Sequence, residues 1–153
     1  MNAWLWKCDP MLWNDAANLK RYEVVERYLE NESKYVYWAT PQFTDKVRVG
    51  DRAFIWRTGS GNGIVAAGTV AEKPQEYAGR NGGQFKFKEL LEPPGWDEKN
   101  TKSKWKTGIS IEATFWHKPI YVSQLVTEGT IQRLGNNQLL QIEGLLEKRY
   151  QKK

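Results

Sequence analysis

Short runs of alternating apolar and polar residues, broken by Gly, Pro and Asn, make up most of this chain. Residues 3–7 (AWLWK) alternate and predict a first strand, closed by Asp9 and Pro10. Residues 14–31 change period. Leu19, Tyr22, Val25 and Leu29 recur at helical spacing, and Asn14 or Asp15 can cap the helix. Residues 35–39 (YVYWA) are rich in β formers and end at Thr40 and Pro41. After a turn at Val49, Gly50 and Asp51, residues 52–57 (RAFIWR) and 64–72 (IVAAGTVAE) flank the sequence GSGNG. That arrangement predicts two strands joined by a hairpin loop, because glycine and asparagine accept positive φ. Gly68 predicts a bulge or a close backbone approach. Residues 84–91 alternate again, and Pro93, Pro94 and Gly95 end that strand. A long polar loop over 95–106 precedes another alternating strand at 109–116 (ISIEATFW). A turn and a short helical segment follow over 119–125. The last helix spans 137–150, with Leu139, Ile142, Leu145 or Leu146, and Tyr150 facing inward.

This succession predicts an α+β fold: a small β-barrel or strongly curved sheet of about six strands, with helices packed outside it. One domain spanning residues 1–153 is expected, with no internal repeat.

Composition narrows the function classes. No apolar run approaches the roughly 20 residues of a membrane span. The opening MNAWLWKCDP lacks the apolar stretch and cleavage site of a secretory signal, so a cytoplasmic protein is expected. The single cysteine, Cys8, excludes an internal disulfide. Net charge is +5, and residues 73–106 hold eight basic against five acidic residues. Within that stretch KNTKSKWK, residues 99–106, sets four lysines around one tryptophan without any acid. Cations attract phosphate, and an indole offers a face on which a base can stack. The C-terminal lysines and Arg149 are read as a solvated, charged terminus.

Catalytic chemistry is not written in the sequence. The one histidine, His117, reads as a strand-edge structural residue, and Cys8 as a buried, inert thiol. One His and one Cys cannot make an ordinary zinc site, so no metal and no cofactor is expected. The GSGNG loop joins two strands instead of opening a helix, unlike a phosphate loop. Glu72 with Glu76, and Asp97 with Glu98, read as solvated carboxylates. A binding domain is therefore expected, and no catalytic residue is assigned.

Eight Trp, seven Tyr and five Phe exceed what a small core needs. Trp4 or Trp6, and Trp116, are expected in the core, and Trp13 over one end of the barrel. Trp38, Trp56, Trp96 and Trp105 stand at strand ends or loops beside polar residues, where an indole is expected to be exposed. Three segments, which carry Trp38, Trp56 and Trp105, resemble the PUA-like superfamily, in particular EVE domains and the related YTH domains. VGDRAFIWRTGSGNGIVAAGTV (49–70) resembles the Gly-Asp, strand, Gly-rich turn and strand pattern of EVE domains. KWKTGISIEATFWHKPIYVSQL (104–125) resembles the YTH pattern of a Trp between lysines, a strand, a Pro and Ser-Gln-Leu. YVYWATP (35–41) matches the short strand on which those relatives place a pocket tryptophan. The chain departs from the YTH pattern in its longer spacing between Trp96 and Trp105, and from many EVE domains in reading Cys-Asp-Pro at the N-terminal turn.

The resemblance implies a PUA-like barrel that binds a modified base, extruded from DNA or RNA, in an aromatic pocket. Carried over by position, Trp38 and Trp105 form its walls. Trp56, Thr58, Gly59 and Ser60 form its floor and rim, with Trp96 as a further cage residue and Asp9 facing the base edge. Arg57, Arg80, Lys99, Lys102, Lys104 and Lys106 are the expected phosphate contacts. Flipping a base costs a few kcal/mol, and stacking returns about 1–3 kcal/mol per base, so such a pocket can offset extrusion. The expected partner is double-stranded DNA bearing 5-methylcytosine or 5-hydroxymethylcytosine, and EVE-like domains suggest the specificity part of a modification-dependent restriction nuclease. The alternatives are a reader of modified RNA bases such as N6-methyladenine, and a small-molecule-binding or enzymatic barrel.

Overall fold

The computed structural model describes residues 1–15, 18–59, 61–76, 84–92, 105–123, 125 and 129–151. Six strands form one mixed sheet: β1 (Ala3–Cys8), β2 (Tyr35–Ala39), β3 (Arg52–Arg57), β4 (Gly63–Glu76), β5 (Trp105–Thr114) and β6 (Ile131–Arg133), in the order β2-β5-β4-β3-β1-β6. β1 and β3 run parallel, and the remaining pairs are antiparallel. Two helices, α1 (Arg21–Leu29) and α2 (Asn136–Gln151), complete the α+β architecture.

The sheet is open but strongly curled. Four strand-to-strand steps separate β2 from β1, which in a flat sheet would be about 19 Å at 4.8 Å per step. Yet Trp6 Nε1 donates to Thr40 Oγ1 at 3.3 Å, and Trp38 Nε1 donates to the Lys7 carbonyl at 3.1 Å. Indoles can span that gap only if β2 is bent round to face β1. Register shifts at Ala67/Gly68 and again along β4 and β5 supply the bend. At Gly68 a Cβ would land on the Ser110 carbonyl, so the missing side chain is what lets β4 and β5 approach.

Alternation along the strands sorts the apolar residues onto two faces. The concave face carries Trp4, Trp6, Val36, Trp38, Ile55, Val65 and Ile109, and α1 plugs it with Val24, Val25, Tyr28 and Leu29. On the convex face Leu5, Phe54, Trp56, Ile64 and Ala67 are covered by Ile142 and Leu146 of α2. Arg52 ties that helix down, donating from Nε to Glu143 at 2.9 Å and from Nη1 to Glu112 at 3.0 Å. Asp51 fastens the first strand to the third. Its buried carboxylate accepts from Trp4 Nε1 at 2.9 Å, Asn2 N at 3.1 Å and Arg48 N at 3.0 Å.

Four sequence expectations are corrected. The first helix starts at Arg21, not near residue 14, because Asn18 sits at φ +66° and breaks the run; Asn14 and Asp15 do not cap it. Residues 84–91 do not form a strand. Lys86 N donates to Glu72 Oε1 at 3.2 Å and Phe87 N to the Tyr37 hydroxyl at 3.0 Å, so side chains satisfy donors that a ladder would use. Phe85 and Leu91 instead cover Tyr35 and Tyr37 on the convex side of β2. Glu72 is not a solvated carboxylate: the hydroxyls of Tyr35 and Tyr37 both donate to its Oε2. The sixth strand is β6, whose three residues are too few to show a period.

Candidate nucleic-acid interface

β2 and β5 bring the two expected wall residues to one face. Trp38 is directly opposite Thr107, and the Thr40 amide donates to the Trp105 carbonyl at 2.9 Å. Trp105, Thr107 and Ile109 alternate onto the concave side, so Trp105 is a diagonal neighbour of Trp38, a separation of about 7–8 Å between such positions. The two indoles differ in exposure. Trp38 is 7% exposed, held by its Nε1 bond to Lys7 O, whereas Trp105 is 37% exposed. The expectation that both stand in solvent therefore holds for Trp105 and not for Trp38. Beneath them Thr40 and Thr107 are fully buried, their hydroxyl oxygens 2.5 Å apart, which fixes the strand pair that carries the rings.

The ends of β1 and β3 lie beside this face. Cys8 O accepts from Thr58 N at 2.9 Å and from Thr58 Oγ1 at 3.3 Å, so Thr58 is bound to the turn that opens at Asp9. Gly59 is at φ +86°, a conformation that favours glycine. The Asp9 carboxylate accepts from Met11 N at 3.0 Å and caps a one-turn 3-10 helix, Pro10–Leu12. Trp13, which follows, is buried, with its ring centroid 6.3 Å from Trp38 and 5.5 Å from Tyr28.

The other expected residues separate. Trp56 is buried on the convex face, with Leu5, Phe54 and Ile142, and the sheet stands between it and Trp38. It cannot form the floor of a slot walled by Trp38. Arg57 is also buried. Nη1 donates to Trp116 O at 3.0 Å, Nε and Nη2 donate to Gly61 O at 3.2 and 2.7 Å, and the guanidinium lies 4.5 Å over the Trp116 ring. These contacts make it a brace for the hairpin loop. Lys106 is buried on the face of β5 opposite Trp105. Ser60, Arg80, Trp96, Lys99, Lys102 and Lys104 lie outside the described residues.

Sequence reasoning did not reach Trp13, Thr40 and Thr107 as parts of this site. Trp13 carried a signal, an aromatic just after the Asp9 and Pro10 turn, but its partner could not be read without the curl of the sheet. The inert reading of Cys8 fits its full burial, which pushes the thiol well above its ordinary pKa, with the nearby Asp9 charge adding to the rise. His117 is exposed, with Nε2 2.5 Å from Glu26 Oε2. Among the described residues no group of three His, Cys, Asp or Glu side chains is placed to hold a metal ion. Nor is any described helix long and apolar enough to cross a membrane.

No protein-family model matches the chain, and no curated protein does. Solved structures do. The human THYN1 protein, crystallised in complex with 5-methylcytosine containing DNA, superposes with a TM-score of 0.56 at 13% identity, over 95% of this chain and 97% of that one. The DUF55 domain of human thymocyte nuclear protein 1 gives 0.55 at 14% identity, over 95% and 98%. A hypothetical protein from Leishmania major gives 0.55 at 14%, over 98% and 97%. At such identities the likeness is one of fold, shared over nearly the whole of both chains.

Proposed function

We propose that this chain is a reader of modified DNA that takes one extruded base, 5-methylcytosine or 5-hydroxymethylcytosine, against Trp38 and Trp105. The observation that carries this reading is the β2–β5 register. It sets both indoles on the concave face, one fixed by a hydrogen bond and one open to solvent. A buried, hydrogen-bonded ring beside a part-exposed ring on one face suits a planar guest. The Asp9 turn, bound to Thr58 and followed there by Gly59, supplies a polar rim for the base edge. Lys99, Lys102 and Lys104, which precede Trp105 in sequence, supply the attraction for phosphate. On the α2 side, by contrast, a groove lined by Glu112, Glu143 and Glu147 around Arg52 would repel a polyanion. The complex of the structurally similar human THYN1 with methylcytosine-containing DNA supports the same class of partner. Restriction specificity, in which a nuclease elsewhere cuts what this domain recognises, is the finer form of the proposal.

The test is a titration of labelled duplexes that differ only in one cytosine: unmodified, 5-methyl or 5-hydroxymethyl. A preference for one modified duplex is expected. Trp105→Ala should reduce that affinity by about 5- to 150-fold, the worth of a 1–3 kcal/mol stack. Equal affinity for all three duplexes overturns the reading. RNA of the same sequence is the control for the 2′-hydroxyl.

A further inference from the structure

Two neighbouring apolar side chains next to the candidate slot have no role in the account above. Met11 is 58% exposed and Leu12 37% exposed, yet the backbone that presents them is rigidly held. Pro10 opens their one-turn helix, the Asp9 carboxylate caps it, and Trp13 N closes it on Pro10 O at 3.1 Å. Arg21 Nη1 adds a bond to Met11 O at 3.2 Å. Both feet of this excursion rest on Trp38. The carbonyl of Lys7, just before it, accepts the Trp38 Nε1 proton, and the Trp13 ring, just after it, lies 6.3 Å from Trp38. An exposed methionine on a mobile loop would carry no message. One held at a fixed distance from a candidate base slot, with Lys7, Lys20 and Arg21 against Asp9 and Asp15 nearby in the chain and Arg21 paired with Asp15, matches the apolar wedges with which proteins enter unstacked base steps.

We infer that Met11, supported by Leu12, inserts into the DNA stack at the step vacated by the extruded base. This rests on the reader proposal and deepens it: the slot holds the base that leaves, and the wedge fills the space left behind. The wedge therefore matters where there is a duplex stack to restore, and not where the modified base is already unstacked. The partner it fits is a base step inside a duplex.

The experiment compares wild type, Met11→Ser and Met11→Leu on a modified duplex and on the modified single strand alone. Met11 is a surface residue, so folding of the variants is checked by circular dichroism. Met11→Ser is expected to lower duplex affinity about tenfold, the equivalent of 1.4 kcal/mol, part of the cost of one unstacked step. Met11→Leu should restore it, and single-strand binding should stay within about twofold. Unchanged duplex affinity, or an equal loss on both forms, overturns the wedge and leaves the pair as a contact for a protein partner. A second readout does not depend on single-strand binding. Cys8 is buried, so Met11→Cys adds an accessible thiol, which should exchange with a mixed-disulfide tether on a base flanking the modified cytosine, releasing the tether's small thiol, and not with one several steps away. Absence of that cross-link also overturns the wedge. Failure of the reader proposal is separate: wild type itself would then not distinguish modified from unmodified duplex.

Discussion

At the scale of single residues, the same side-chain type does opposite things depending on which face its strand presents. Trp38 and Trp56 both follow apolar residues on short strands, and both read from sequence as pocket indoles. Alternation and register place them on opposite sides of one sheet. Arginine gives a similar lesson. Arg57 reads as a phosphate contact from charge alone, but its guanidinium is stacked on Trp116 and bonded to the Gly61 and Trp116 carbonyls. It is expected to act by holding the hairpin loop that carries Thr58 and Gly59. Arg57→Met should weaken DNA binding and lower the melting temperature while leaving the slope of log affinity against log salt unchanged. A slope shallower by about one would instead identify a phosphate contact.

At the scale of elements, the strongly alternating strands were legible, and so was the α+β class. The hairpin around GSGNG and the close approach at Gly68 could also be read, because glycine at those places has a local cause. Gly68→Ala tests that approach. A Cβ would meet the Ser110 carbonyl, which belongs to backbone and cannot swing aside. A loss of about 1–3 kcal/mol in urea unfolding is expected, as for other overpacked sites. What could not be read is longer in range. The curl that brings Trp6 to Thr40 joins residues far apart in sequence. The capture of residues 85–91 by Tyr37 and Glu72 overrides an alternating pattern that is real but serves a cover instead of a strand. Trp105 lay in a predicted loop because β5 begins among lysines and polar residues, well before its apolar stretch.

At the scale of the molecule, α2 is joined to the sheet by packing and by a charged clamp at Arg52. Arg52 bridges Glu143 and Glu112, and Thr69 Oγ1 also donates to Glu112 at 2.6 Å. Partial burial raises the Glu112 pKa, but the bonds from Thr69 and Arg52 outweigh it, leaving the net value below the ordinary 4.5. A carboxylate whose folded pKa is depressed stabilises the fold above its unfolded pKa, and that contribution disappears as pH falls through the folded value. Glu112→Gln should therefore cost up to about 1 kcal/mol at pH 7, small because the side chain is half exposed. The gap between wild type and variant should close below pH 4.5 in denaturation series run from pH 7 to pH 3.

The division of the sheet into two sides has a practical consequence. Helix α2 and its exposed Lys148 stand on the convex side of the sheet, away from the face that carries Trp105. A bead or chip coupled through that rear surface would leave the Trp105 face open, an orientation suited to the duplex titrations that test the reader proposal.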